Sequence, residues 1–89
     1  MAPASEAAIL SRVIEHDEAR LPAGLARLIL RWEFPDADRR RMRELLEKAK
    51  ARRLTPRERA EAENYERVGH FLSILKSKAR TSLSARNGS

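Results

Sequence analysis

The chain has no cysteine, only three glycines and four prolines among 89 residues, and an aromatic set of one Trp, one Tyr and two Phe. Without cysteine there is no disulfide framework, no thiolate nucleophile and no cysteine-based zinc site. Gly24, Gly69 and Gly88 stand far apart, so no glycine-rich loop is available to cradle a phosphate. The most apolar run, residues 25–32, is broken by Arg27 and Arg31 and is far too short to span a bilayer. The opening MAPASEAAIL lacks the basic start and sustained apolar stretch of a signal peptide. These absences lead to the expectation of a soluble, cytoplasmic protein that makes no membrane contact.

What is present is charge, and it is unevenly placed. The formal net charge is +6. Residues 1–38 carry four basic and seven acidic groups, net −3, whereas residues 39–59 carry ten basic and three acidic, net +7. Residues 60–75 return to net −2, and residues 76–89 carry four basic groups and no acid. The basicity therefore forms two patches, one in the middle of the chain and one at its C-terminal end.

Apolar spacing and capping residues predict an all-α fold, a small bundle of four helices in a single domain over residues 1–89, with residues 1–4 and 85–89 flexible. Ser5 is placed to cap a first helix whose apolar set is Ile9, Leu10, Val13 and Ile14, ending in the acidic run 15–18. After a connector at residues 19–21, Pro22 suits the start of a second helix through Glu33, carrying Leu25, Leu28, Ile29, Leu30 and Trp32. Phe34 and Pro35 end it, because a residue before proline is pushed out of the α region. A third helix is expected from Pro35 and Asp36 to about Arg52, with Met42, Leu45, Leu46 and Ala49 facing inward.

Thr55 and Glu58 form a capping box around Pro56 and open a fourth helix running to about Leu83. Tyr65, Val68, Leu72, Leu75 and Ala79 recur on it at spacings of three and four. Helices three and four should make an αα-hairpin. At 1.5 Å per residue the last helix would be about 43 Å long and the third only about 26 Å, so the third cannot cover it. Beyond its reach lies an apolar face of Phe71, Leu72, Ile74, Leu75 and Ala79. That face is either the inner wall of a monomeric bundle, covered by helices one and two, or the interface of a homodimer or of a complex with another protein.

Catalytic chemistry has little to work with. His16 lies in an acidic run, and His70 sits near Glu66 and Ser73 by helical spacing; no HExxH pattern or i, i+4 histidine pair is present. Ser73 and Ser77 have no nucleophile elbow to expose them. Carboxylate pairs would come from exposed helix surfaces, which are poor places to raise a pKa. The expectation is a non-enzyme with no cofactor, no metal and no catalytic residue.

The basic patches admit two uses. Arg39, Arg40, Arg41, Arg43, Lys48, Lys50, Arg52 and Arg53, with Arg57 and Arg59 beyond them and Lys76, Lys78 and Arg80 at the end, could follow a phosphate backbone of DNA or RNA. Alternatively the same charge steers an acidic protein. Three i, i+4 pairs, Arg40 with Glu44, Arg43 with Glu47 and Glu44 with Lys48, would neutralise part of it locally.

The segments DADRRRMREL, LTP and YERVGHFLSILKSKAR resemble a family of small bacterial helical proteins of uncharacterised activity. The matching residues are Asp38, Arg39, Arg41, Met42, Glu44 and Leu45, then Leu54, Thr55 and Pro56, then Tyr65, Arg67, Val68, Gly69, His70, Leu72, Leu75, Lys78, Ala79 and Arg80. The chain departs from that pattern at Arg57 and Arg59, where acids are usual. Such proteins are similar to the small partners encoded beside nucleases, including HNH-type ones, in the manner of antitoxin and toxin pairs. The resemblance thus implies a non-enzymatic protein-binding module, antitoxin-like or accessory to a nuclease, using Phe71, Leu72, Ile74, Leu75 and Ala79. The alternative is a basic nucleic-acid-binding protein.

Overall fold

A computed structural model describes residues 4–16 and 20–87, with side chains through residue 84. The fold is all-α: the described residues form α1 (Glu6–His16), α2 (Ala23–Leu30), α3 (Asp36–Lys50) and α4 (Pro56–Asn87), and no strand. They group into two compact units, one of Met1–Trp32 with Arg67–Ser89 and the other of Glu33–Glu66. Of the end segments expected to be flexible, residues 1–3, 88 and 89 lie outside the described residues, as do residues 17–19 of the acidic run and connector.

Each helix boundary has a local cause. The Ser5 hydroxyl accepts from the Ala8 backbone N–H at 3.1 Å, satisfying one of the donors that a helix start leaves unpaired. The α2 segment stops at Leu30 rather than Glu33, since the N–H groups of Arg31 and Trp32 turn to the carbonyls of Leu28 and Ile29, three residues back. That tighter closure ends the helix one turn before Pro35 would have required. Likewise α3 ends at Lys50 and not at Arg52. Arg52 takes a left-handed φ of 58°, its N–H donating to Ala49 while the Arg53 N–H donates to Lys48 at 2.8 Å. This is a Schellman closure built without glycine, which composition alone could not announce. The capping box of α4 is present as expected, Glu58 N–H to Thr55 Oγ1 at 3.0 Å and Thr55 N–H to Glu58 Oε1 at 3.1 Å. At the other end, the helix continues past the expected stop at Leu83 to Asn87, because neither proline nor glycine interrupts the chain before Gly88.

The first unit has a thin core. Ala26, Ile29 and Ala79 are buried, with Leu21, Leu30, Leu75 and Leu83 packed around them. Small residues at 26 and 79 let α2 and α4 approach closely, and Ile29 is the one large side chain at the centre. The Leu21 N–H donates to the buried Ser82 hydroxyl at 3.1 Å, pinning the entry to α2. In α1 the structure decides what the apolar set left open. Its buried residue is Ser11, whose hydroxyl donates back to the Ala7 carbonyl at 2.8 Å, while Ile9, Leu10 and Val13 are exposed, Val13 by 62%. Three of the four residues of its apolar set thus face outward, with only Ile14 half-buried.

The second unit is the expected αα-hairpin. Partners along it run 38 with 65, 41 with 61 and 48 with 58, so one helix descends as the other ascends. Leu45 is buried at 3% exposure, and Phe34 meets the Tyr65 ring edge-on at 6.0 Å and 68°.

Candidate functional site: apolar faces and an ion-pair ladder

The charged chemistry of the chain concentrates on the hairpin. Arg41, on α3, grips Glu61 of α4 with a two-pronged contact, Nε to Oε2 at 2.9 Å and Nη2 to Oε1 at 2.8 Å. Its remaining nitrogen donates to Glu44 at 2.9 Å, and Nη2 lies 3.5 Å from Glu58. A planar guanidinium suits such forked pairing better than an ammonium would. Lys48 donates to the second oxygen of Glu58, so this one carboxylate both caps α4 and bridges to α3. The Tyr65 hydroxyl donates to Asp38 at 2.7 Å and closes the ladder at its far end.

These contacts move the titrations in consistent directions. The Lys48 ammonium, followed by the Thr55 N–H, holds the Glu58 carboxyl at about 2. The Arg41 fork holds Glu61 below the usual carboxylate range, and its two carboxylate partners raise Arg41 further. Tyr65 is raised because its hydroxyl donates to the Asp38 carboxylate. A carboxyl whose pKa is depressed in the folded chain stabilises it when ionised, and that contribution fades as pH falls toward the folded value. We therefore expect the thermal midpoint to drop between about pH 4.5 and 2. Glu58→Gln, which keeps a cap-competent oxygen but loses the charge, should show a shallower drop in circular-dichroism melts; an identical pH slope in the variant would refute the role of Glu58.

The ladder reassigns several residues of the proposed phosphate-binding patch. Arg41 and Lys48 are engaged across the hairpin, Arg39 pairs with Asp36, and Lys50 approaches Glu47 at 3.5 Å. None of the three expected i, i+4 pairs forms: Glu44 is taken by Arg41 and Glu47 by Lys50, both three residues away, and Lys48 reaches across to α4. Near the C-terminus, the Lys78 ammonium donates to the Ile14 carbonyl at 3.0 Å, in the last turn of α1. A cation there satisfies an orphan acceptor and the negative end of the helix dipole. Of the two basic patches, Arg40, Arg43, Arg52, Arg53, Arg57, Arg59 and Arg80 remain exposed and unpaired, while Lys76 has an interaction of its own.

The expected partner face on α4 is largely used inside the chain. Ala79 is fully enclosed at 0% exposure and Leu75 packs against the same core as Ala26 and Ile29, so α2 covers this row. Phe71, Leu72 and Ile74 are half-buried. The exposed apolar side chains lie elsewhere, in Leu25, Leu28 and Trp32 on and just after α2, in Ile9, Leu10 and Val13 on α1, and singly at Leu46 and Val68. Periodicity identified these residues as apolar; it gave no sign of which face would be left uncovered.

The second unit also contains an open apolar groove of about 340 Å³ between α3 and α4. Met42, Leu45, Leu46, Ala49, Ala62, Tyr65 and Glu66 line it. His16 and His70 are both exposed, and no cluster of three or more potential metal ligands occurs among the described residues. No described helix is long and apolar enough to cross a membrane. No protein-family profile, curated protein or solved structure matches this chain.

Proposed function

We propose that this chain is a non-enzymatic, cytoplasmic protein-binding module, antitoxin-like or accessory to a nuclease, as the resemblance in its α3 and α4 segments implies. The observation that carries the reading is the ridge of Leu25, Leu28 and Trp32, spaced three and four apart and all exposed. Arg27 and Arg31 flank it, and both are exposed. Aromatic and arginine side chains are the ones that most often dominate binding energy at an interface. A partner offering an apolar groove edged with carboxylates would seat this ridge, the arginines guiding its approach.

The test is affinity measured by isothermal titration against the product of the neighbouring gene, with circular dichroism as a folding control. Because Leu28 and Trp32 are exposed, Leu28→Asp and Trp32→Ala should leave helix content unchanged. Each should weaken binding by about thirtyfold, the equivalent of about 2 kcal/mol at a binding hot spot. Unchanged affinity in both variants would remove the ridge from the interface.

A second reading rests on the arginines left unpaired along α3 and at its turn into α4. Nucleic-acid binding through Arg40, Arg43, Arg52, Arg53, Arg57 and Arg59 predicts duplex affinity that falls by orders of magnitude between about 50 and 200 mM salt. Fluorescence anisotropy decides it, and absence of binding at the lower salt assigns the charge to protein partners.

A further inference from the structure

We infer that the groove between α3 and α4 is a docking site for an acidic amphipathic α-helix of another protein, whose apolar stripe fills the groove while its carboxylates meet cations on the rims. The groove lies wholly within the second unit, and it is open. On α3, Met42, Leu45, Leu46 and Ala49 line it at the spacing i, i+3, i+4, i+7, and Ala62 and Tyr65 line the opposite wall on α4. Leu46 is 53% exposed, a large apolar side chain open to solvent. A trough between two antiparallel helices has the shape that a third helix fills, its side-chain ridge seated between theirs. The volume of about 340 Å³ takes the side chains along one stripe of such a helix, whose polar side stays in water.

Charge selects an acidic occupant. On α3, Arg39, Arg43, Leu46 and Lys50 are spaced four, three and four apart, so the exposed leucine sits in a row of cations beside the groove. From Arg39 to Lys50 that row is about 16 Å long at 1.5 Å per residue, three turns of helix, which suits an elongated occupant better than a compact ligand. On α4, Arg59, Ala62 and Glu66 make the facing row, three and four apart. The rims thus set Arg39, Arg43, Lys50 and Arg59 against Glu66, the one acid in the lining. Arg43 and Arg59 are exposed and unpaired. Arg39 and Lys50 hold Asp36 and Glu47 in exposed contacts on their own helix, weak enough to be shared with a partner. Arg41 and Lys48, by contrast, are occupied by Glu61 and Glu58. A nucleic-acid backbone would use the arginines and leave Met42, Leu46 and Ala49 uncovered, whereas carboxylates flanking an apolar stripe use both. The groove shares no residue with the α2 ridge, which belongs to the first unit.

The test is fluorescence anisotropy with the full chain and a labelled peptide of about 18 residues, long enough to hold a helix in water, with leucines at i, i+3, i+4 and i+7 and glutamates flanking them. At about 50 mM salt it should bind with a Kd of about 30 µM, and a counterpart with lysine for every glutamate should bind about tenfold more weakly. Leu46→Asp and Arg43→Glu should each weaken the glutamate peptide about tenfold. Leu46 is exposed and Arg43 unpaired, so both variants should fold, with helix content checked by circular dichroism. Arg43→Glu should in addition tighten the lysine peptide, a reversal that misfolding cannot imitate. No binding of the glutamate peptide at about 500 µM, equal affinity for the two peptides, or wild-type affinity in either variant would each overturn the proposal. So would a mixed-sequence duplex that binds while the glutamate peptide does not, which would assign the arginines to phosphate. Leu28→Asp should leave peptide affinity unchanged, so failure of the α2-ridge reading and failure of this one give different results.

Discussion

Replacing Ile29 with Ala should destabilise the first unit by about 3 kcal/mol, in the middle of the range for removing a large aliphatic side chain from a core. Ile29 is 4% exposed and its buried neighbours are Ala26 and Ala79, neither of which has a side chain that can swing in to fill the space. The cavity would persist, and the cost of a cavity depends on how poorly the site can collapse. The helix it belongs to is only eight residues long, well short of what holds together in water without tertiary contacts. Chemical denaturation should therefore show a clear loss in midpoint for Ile29→Ala. The adjacent Leu28→Ala, at an exposed position, should change it by less than about 0.5 kcal/mol. Equal effects at the two positions would mean that α2 does not pack as described.

Leu45→Ala should cost about 2 kcal/mol in the hairpin unit, at the lower end of the same range. Leu45 is as buried as Ile29, at 3%, yet it borders the open groove, where flexible Met42 and exposed Leu46 are free to shift toward the vacated volume. The ion-pair ladder from Asp38 to Glu58 persists in the variant and keeps α3 and α4 in register. Hydrogen exchange resolved by residue should show lowered protection within Glu33–Glu66 for Leu45→Ala and among α2 amides for Ile29→Ala. If Leu45→Ala were the more damaging of the two, the groove would not relax as its geometry allows.

Much of the architecture is dictated by residues close in sequence. Ser5, Thr55 with Glu58, and the prolines at 22, 35 and 56 set the starts of the helices through hydrogen bonds and dihedral limits that span three or four residues. The number of helices, the pairing of α3 with α4 and the capping box of α4 follow from such signals. The ends were less legible. Arg52 adopts a left-handed conformation without being glycine, and α2 closes early through bonds to carbonyls three residues back. Both depend on how the following segment departs, which a local pattern does not encode.

The tertiary structure alone decided which apolar and charged groups are spent within the chain. Of the apolar set on α1, Ile9, Leu10 and Val13 point outward, because Ser11 and the alanines permit closer approach than Ile9 or Val13 would. Leu75 and Ala79 on α4, which the pattern left as either an inner wall or an interface, are covered by α2. Arg41 and Lys48 read as part of a basic patch and instead bind Glu61 and Glu58. The sequence determined helices, their starts and the total charge, since these are local or additive properties. Burial and ion pairing required the structure, since each is a choice among many partners distant along the chain, and only packing in three dimensions makes that choice.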